Sequence, residues 1–137
     1  MDKKLVGLML IFLLSFGLFT VATVFNKPLS RFTKAKEELI PSSQNSLLFG
    51  WPLTAKADGN QTVEINVFVR NSNNVPLENK KINLTSSLGT FKENNIATDK
   101  GGKATFHLVS GDAGIANITA LIDNQVEVKQ QLTIKFE

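Results

Sequence analysis

Hydrophobic residues follow two different patterns along this chain. Residues 5–25 form an unbroken apolar run without a charged side chain, whereas apolar and polar residues alternate from Thr54 onward. A helix over the apolar run is about 32 Å long at a rise of about 1.5 Å per residue, close to the hydrocarbon thickness of a bilayer. The first pattern therefore predicts a single transmembrane α-helix that contacts the lipid bilayer from Leu5 to Phe25.

A cleaved signal peptide is the alternative interpretation of this run, because Lys3 and Lys4 precede it. The apolar stretch of a signal peptide has about 7–15 residues, which is shorter than this one. Thr20-Val21-Ala22 is a poor match to an A-x-A cleavage site and lies inside the run. The pattern favours a retained anchor.

Residues 26–53 are expected to form a juxtamembrane helix and linker. Pro28 is expected to kink or end the first helix, and residues 41–46 have the composition of a flexible break. Trp51 is expected to pack against the base of the following domain, with an interfacial anchor or a partner contact as the alternative. Four apolar residues fall on one face of a short amphipathic helix: Leu29, Phe32, Leu39 and Ile40.

Alternating apolar residues predict that residues 54–137 consist of short strands. Turn sequences rich in Gly, Asn and Asp separate the strands, and no segment has a helical period. The spacing predicts an all-β sandwich of about 7–8 strands, with no disulfide because the chain has no cysteine. Gln130 interrupts the last apolar alternation and predicts a bulge or a change of sheet there.

Several segments in this region resemble one protein family. ADG at residues 57–59, NVPL at 74–77 and INLTS at 82–86 lead to GTF at 89–91. The most specific segments are ATDKGGKATFHL at 97–108 and AGIANITA at 113–120. Together they resemble the bacterial Ig-like domain of group 1 (Big-1), the module repeated in intimin and invasin. The resemblance implies an Ig-like sandwich over residues 54–137, an extracytoplasmic setting, and a spacer or interaction role with a protein partner.

Domain organisation and orientation follow from combining the two patterns. We expect a short basic N-terminus at residues 1–4, the membrane helix at 5–25, the linker at 26–53 and the Ig-like domain at 54–137. Lys3 and Lys4 favour a cytoplasmic N-terminus, but the positive-inside rule applied to the residues behind the run favours the reverse. The resemblance decides for a cytoplasmic N-terminus and an extracytoplasmic domain at the cell membrane. The opposing basic residues are Lys27, Arg31, Lys34 and Lys36.

Candidate chemistry is sparse, so we expect no catalytic residue, no metal or cofactor site, no small-molecule substrate and no enzyme. The single histidine, His107, alternates with inward Phe106 and Leu108 and is expected to face solvent. The net charge of +3 comes without a basic patch interleaved with aromatic residues, so nucleic-acid binding is not expected. Four aspartates lie in turns and are interpreted as turn caps rather than calcium ligands: Asp58, Asp99, Asp112 and Asp123.

The functional interpretation is a single-pass, membrane-anchored surface protein that displays one Ig-like domain for structural or adhesive protein–protein interaction. Exposed strand edges are expected to offer a place for a partner strand. A pilin-like filament subunit and an accessory subunit of a membrane complex are the alternatives. The filament hypothesis is weakened because residues 5–25 contain no glutamate for subunit registry.

Overall fold

The computed structural model describes residues 2–137, and for residues 24–38 it describes the backbone only. The chain divides into two compact units, Met1–Glu37 and Glu38–Glu137. The first is formed by helix α1, Lys3–Glu38. Within it, Lys3–Thr23 is long and apolar enough to cross a membrane, a property that an N-terminal signal sequence shares.

Helix α1 is longer than the apolar run that predicts it. It continues through Pro28 to Glu38, so the proline does not end the helix. Proline removes one backbone hydrogen bond, but its fixed φ of about −65° is itself helical. The amphipathic face expected for residues 29–40 rests mostly on side chains outside the described part of the chain.

The second unit is an all-β Ig-like sandwich of two sheets, as the sequence predicts. The strands are β1 (Leu47–Trp51), β2 (Thr54–Ala55), β3 (Val63–Phe68), β4 (Lys81–Ser86), β5 (Thr90–Phe91), β6 (Ile96–Ala97), β7 (Lys103–Val109), β8 (Gly114–Ile122), β9 (Val126–Glu127) and β10 (Leu132–Phe136). One sheet has the strand order β1-β3-β7-β5, and the other has β2-β10-β8-β4-β6, with β9 paired to β8. Ten strands are present rather than seven or eight, because β2, β5, β6 and β9 are pairings of only two residues.

Inward side chains of the two sheets form one hydrophobic core. In β3 and β7 every second residue is buried, as the alternation predicts. Small alanines in facing strands leave room for larger side chains, and Phe106 is among the largest that are fully buried. Since no disulfide connects the sheets, this packing provides the main stabilisation. The buried alanines of β7 and β8 are Ala104, Ala116 and Ala120.

The sandwich begins earlier than the alternation indicates. The sequence pattern places residues 47–53 in the linker, but Leu47–Trp51 is a strand that pairs antiparallel with β3. Four of its five residues are apolar, so no alternation by residue type marks it. The preceding residues are also ordered by hydrogen bonds, in which the Ser42 amide donates to the Arg70 carbonyl at 2.7 Å.

A bulge interrupts the last apolar segment at Gln130, as predicted. The Val128 amide donates to the Ala120 carbonyl, while Leu132 pairs with Ile118. The two-residue interval from Ala120 to Ile118 in β8 thus lies opposite the four-residue interval from Val128 to Leu132, and the additional residues form the bulge. Both flanking strands pair with β8, so the chain stays in the same sheet.

The turn before β7 has the geometry that its sequence predicts. The Asp99 Oδ1 atom accepts hydrogen bonds from the amides of Gly101 at 2.8 Å and Lys103 at 2.9 Å. Gly102 has a φ of +72°, the left-handed region that glycine adopts without steric cost. A Cβ atom at Gly102 would lie 2.5 Å from the Val69 carbonyl oxygen.

Thr98 is a structural residue whose role the sequence pattern did not reveal. Its side chain is buried. The Oγ1 atom donates to the Leu77 carbonyl at 2.6 Å and accepts from the Lys80 amide at 2.9 Å. The hydroxyl therefore satisfies two backbone groups in the loop that leads into β4.

Candidate interaction surface

Aromatic side chains gather on the outer face of the first sheet. Phe49 is 49% exposed and Trp51 is 77% exposed. The Phe49 ring contacts the ring of Phe68 edge-on, with centroids 6.1 Å apart and planes at 71°. We call Phe49, Trp51 and Phe68 the aromatic face.

Alternation along β1 fixes the direction of these side chains. Leu48 is fully buried, and a Cβ atom on Gly50 would point at Leu132, 2.7 Å from its Cδ2 atom. Because successive residues of a strand point to opposite faces, Phe49 and Trp51 point outward. The expectation that Trp51 packs against the base of the domain was wrong, since its ring lies in solvent.

Polar residues border the aromatic face. In the pairing register, Trp51 lies opposite Glu64, which in turn lies opposite His107. The next row contains Asn66 and Thr105, whose side chains form a 2.8 Å hydrogen bond. An apolar centre with a hydrogen-bonded polar border is the usual anatomy of a protein–protein contact.

Part of the outer edge of β1 offers no free hydrogen-bond donor to another strand. In antiparallel pairs, peptide groups point alternately toward and away from the neighbouring strand. The Leu48 amide, which points away from β3, donates to the Gln130 Oε1 atom at 3.3 Å. Pro52, which follows β1, has no amide hydrogen. Gly50 lies between Leu48 and Pro52, and by the same alternation its N–H and C=O groups point away from β3.

His107 is half-buried and bonded rather than freely exposed, which the strand pattern did not predict. Its Nδ1 atom lies 2.6 Å from the Glu93 Oε1 atom, and its amide donates to Glu93 Oε2 at 2.7 Å. Glu93 follows β5 in a loop, so no local signal connects the two residues. The carboxylate covers an amide on the open edge of β7.

Two opposing effects act on the ionisation of Glu93. Partial burial raises the pKa of this carboxyl, but hydrogen bonds from the side chain and the amide of His107 outweigh burial and lower it overall. Stabilisation from ionised Glu93 is therefore present above its ordinary pKa of about 4.3. It is lost as the pH falls through the lower pKa of the folded state.

We expect the substitution Glu93→Gln to flatten the acid end of the stability profile. Between about pH 5 and pH 3, the difference in unfolding free energy between wild type and variant should shrink by about 1 kcal/mol or less, because the pair is partly solvated. Urea unfolding at several pH values measures this difference. Glu137→Gln is the matched control, since Glu137 pairs only with exposed Lys135. A wild-type-to-variant difference independent of pH would contradict the assignment.

Two of the four turn aspartates cap amides of their own turns, as expected. Asp58 accepts from the amides of Gln61 and Asn60, and these bonds lower its pKa. Asp99 caps the turn before β7, whereas Asp123 accepts from the Lys81 amide of β4 at 2.9 Å. Within the described part of the chain, no group of three His, Cys, Asp or Glu residues is arranged to hold a metal ion.

Comparisons with known proteins agree with this architecture. Residues 51–136 match the family model of the bacterial Ig-like domain (group 1). The chain is 30% identical over 82 residues to intimin of Citrobacter freundii, which covers 60% of this chain and 9% of that protein.

Solved structures give the same fold. The Yersinia pseudotuberculosis adhesin InvE is 26% identical, with a TM-score of 0.63 over 70% of this chain and 27% of that one. A 282-residue C-terminal fragment of intimin, solved in complex with the intimin-binding domain of the translocated intimin receptor, is 21% identical. Its TM-score is 0.61 over 71% of this chain and 33% of that one. The chain thus spans a third or less of each of these relatives.

Proposed function

The chain belongs to the bacterial Ig-like domain (group 1) family, and from this we propose that it is a membrane-anchored surface protein whose Ig-like domain makes adhesive or structural contacts with another protein. The observation that carries the proposal is the match of residues 51–136 to the bacterial Ig-like domain (group 1), together with the likeness of the chain to intimin and to the adhesin InvE. The partner of the intimin fragment is a protein, and we infer a protein partner here as well.

Anchoring is supported by the first unit. The described apolar side chains between Leu5 and Val21 are exposed, and such a surface is stable only when lipid or protein covers it. The run is longer than the apolar stretch of a signal peptide. We infer a retained, single-pass helix with the N-terminus in the cytoplasm and the Ig-like domain outside.

The contact surface that we infer is the aromatic face. Exposed Trp and Phe side chains are enriched where proteins bind one another, because they bury much apolar area at little entropic cost. The outer face of the second sheet is instead dominated by hydrogen-bonded polar side chains. There Thr85 and Thr119 lie 2.7 Å apart through their Oγ1 atoms.

Labelling of single cysteines tests the location and orientation. The chain has no native cysteine, so a membrane-impermeant maleimide reports only the introduced residue. On intact cells or spheroplasts we expect labelling of Asn83→Cys, which is exposed on β4, and protection of Asp2→Cys. Labelling of Asp2→Cys alone would reverse the orientation. Recovery of the chain in the soluble fraction would refute the anchor.

The filament hypothesis keeps one observation in its favour. Helix α1 continues past Pro28 to Glu38, so a long helix precedes the β unit, an outline that pilin-like subunits share. Residues 5–25 nevertheless contain no glutamate that would set subunit registry. Filaments containing the chain in sheared surface fractions would support this alternative, whereas a chain extracted only by detergent would exclude it.

A further inference from the structure

Strand β1 differs from the other strands at the sheet edges. It has five residues, whereas β2, β5 and β6 have two each. Edge strands of soluble proteins usually carry charged side chains that prevent pairing with another strand. No charged residue occurs between Leu39 and Ala55. Neither charge repulsion nor shortness protects this edge.

The hydrogen-bonding groups of this edge are self-complementary. Gly50 presents both an N–H donor and a C=O acceptor outward, whereas the Leu48 amide is bonded to Gln130 and Pro52 has no amide hydrogen. In an antiparallel pair centred on Gly50, the two Gly50 peptide groups bond to each other. Leu48 of one copy then lies opposite Pro52 of the other, and on pairing the Leu48 amide exchanges its bond to Gln130 for one to the Pro52 carbonyl of the second copy.

We propose that two copies of this chain pair through their β1 strands, antiparallel about Gly50, to join their first sheets into one continuous sheet. In this register Phe49 of one copy lies opposite Trp51 of the other, on the outer face. Each dimer therefore gains two aromatic cross-strand pairs. Aromatic residues are among the favourable partners at such positions.

The available area indicates how strong this pairing is. A Phe or Trp side chain has roughly 150–250 Å² of surface, so the exposed parts of Phe49 and Trp51 offer about 250 Å² per copy. The two copies together bury about 500 Å², well below the roughly 1,200 Å² of a stable interface. Pairing is weak in free solution and is promoted when two anchored copies share one membrane. The inference rests on the proposed anchor here, because the anchor is what confines two copies to one membrane.

Disulfide trapping of the full chain in membranes tests the register. Phe49→Cys and Trp51→Cys are placed on separately tagged chains and co-expressed. Directly opposite residues at a position of this kind have Cα atoms about 4.5 Å apart, within the range of a disulfide. We expect the mixed pair to cross-link at least about fivefold more than either variant with itself, because identical positions are offset diagonally by about 7–8 Å.

A control pair and a second measurement keep the test decisive. Asn83→Cys with Thr133→Cys, both on the second sheet, should give only background cross-linking. Energy transfer is measured between dyes attached to Asn83→Cys chains, in which the aromatic face is intact. When Trp51→Ser is added, the transfer should fall to the level expected for random encounters in the membrane. It should persist with Ile115→Ser, which removes an apolar side chain that is 62% exposed on the second sheet, compared with 77% for Trp51.

Failure of pairing and failure of anchoring give different results. Membrane-located chains with mixed cross-linking at background level would overturn the pairing and leave the anchor intact. If the chain is soluble, the same variants are oxidised as purified chain at high concentration. Background cross-linking there would also overturn the proposal, and mixed-pair cross-linking would sustain it without the membrane.

Discussion

Replacing Phe106 with alanine is expected to lower the free energy of unfolding by about 3–5 kcal/mol. The side chain is 1% exposed, and its ring meets that of Phe91 edge-on with centroids 6.2 Å apart. It lies in β7, a central strand of the first sheet, and points toward the second sheet. Its removal leaves a cavity that neighbouring side chains of the sandwich fill only in part. Chemical or thermal unfolding of the β unit in the purified chain measures the loss.

Phe49→Ala is the matched control for this prediction. It likewise removes a phenyl ring, but from the outer face of the same sheet, where about half of the ring is already in solvent. We expect a loss of about 1 kcal/mol or less, because little buried area disappears. A melting temperature of Phe106→Ala within a degree or two of wild type would refute the central position of this ring.

The second large effect is expected for Gly102→Ala, at about 3 kcal/mol. Two costs combine at this position. The φ of +72° is unfavourable for any residue with a Cβ atom. The added atom would also lie 2.5 Å from the Val69 carbonyl oxygen and 3.1 Å from the Leu77 amide nitrogen. These are backbone atoms and cannot rotate away, so the turn or the strand must shift.

Gly101→Ala separates these costs from the general effect of replacing glycine. Gly101 does not have a positive φ, and the nearest atom to an added Cβ is the Asp99 Oδ1 at 3.3 Å, the end of a side chain. The expected change is about 1 kcal/mol or less. Equal losses for the two variants in denaturant unfolding would contradict the geometry assigned to the turn.

Regular alternation made most of the sandwich predictable from sequence. In β3 and β7 the buried residues are those that the period of two selects, and the Asp-x-Gly-Gly turn between β6 and β7 has the expected hydrogen bonds. Such features depend on neighbouring residues. The bulge at Gln130 was also predictable, because a polar residue at an apolar position marks it.

Features that depend on distant partners were not predictable. Strand β1 is apolar on both faces, so its pattern does not distinguish a strand from a linker, and the exposure of Trp51 follows from that strand's direction. The bond between Glu93 and His107 joins a loop to a strand 14 residues away. The buried hydroxyl of Thr98 binds the Leu77 carbonyl, 21 residues earlier in the chain. No local pattern reports such contacts.

The hydrogen bonds at the start of the sandwich have a mechanical consequence. A pull on the chain before Ser42 loads β1 along its own axis, so its bonds to β3 are strained in shear and must fail together. Ahead of that strand, Ser42 binds Arg70 beside the first sheet, while Ser43 binds Lys129 and Glu127 beside the second. Tension that reaches the β unit through the residues before Ser42 is thereby divided between both sheets before it reaches β1. These hydrogen bonds therefore connect a mechanical load on the N-terminal side of the β unit to both sheets at once.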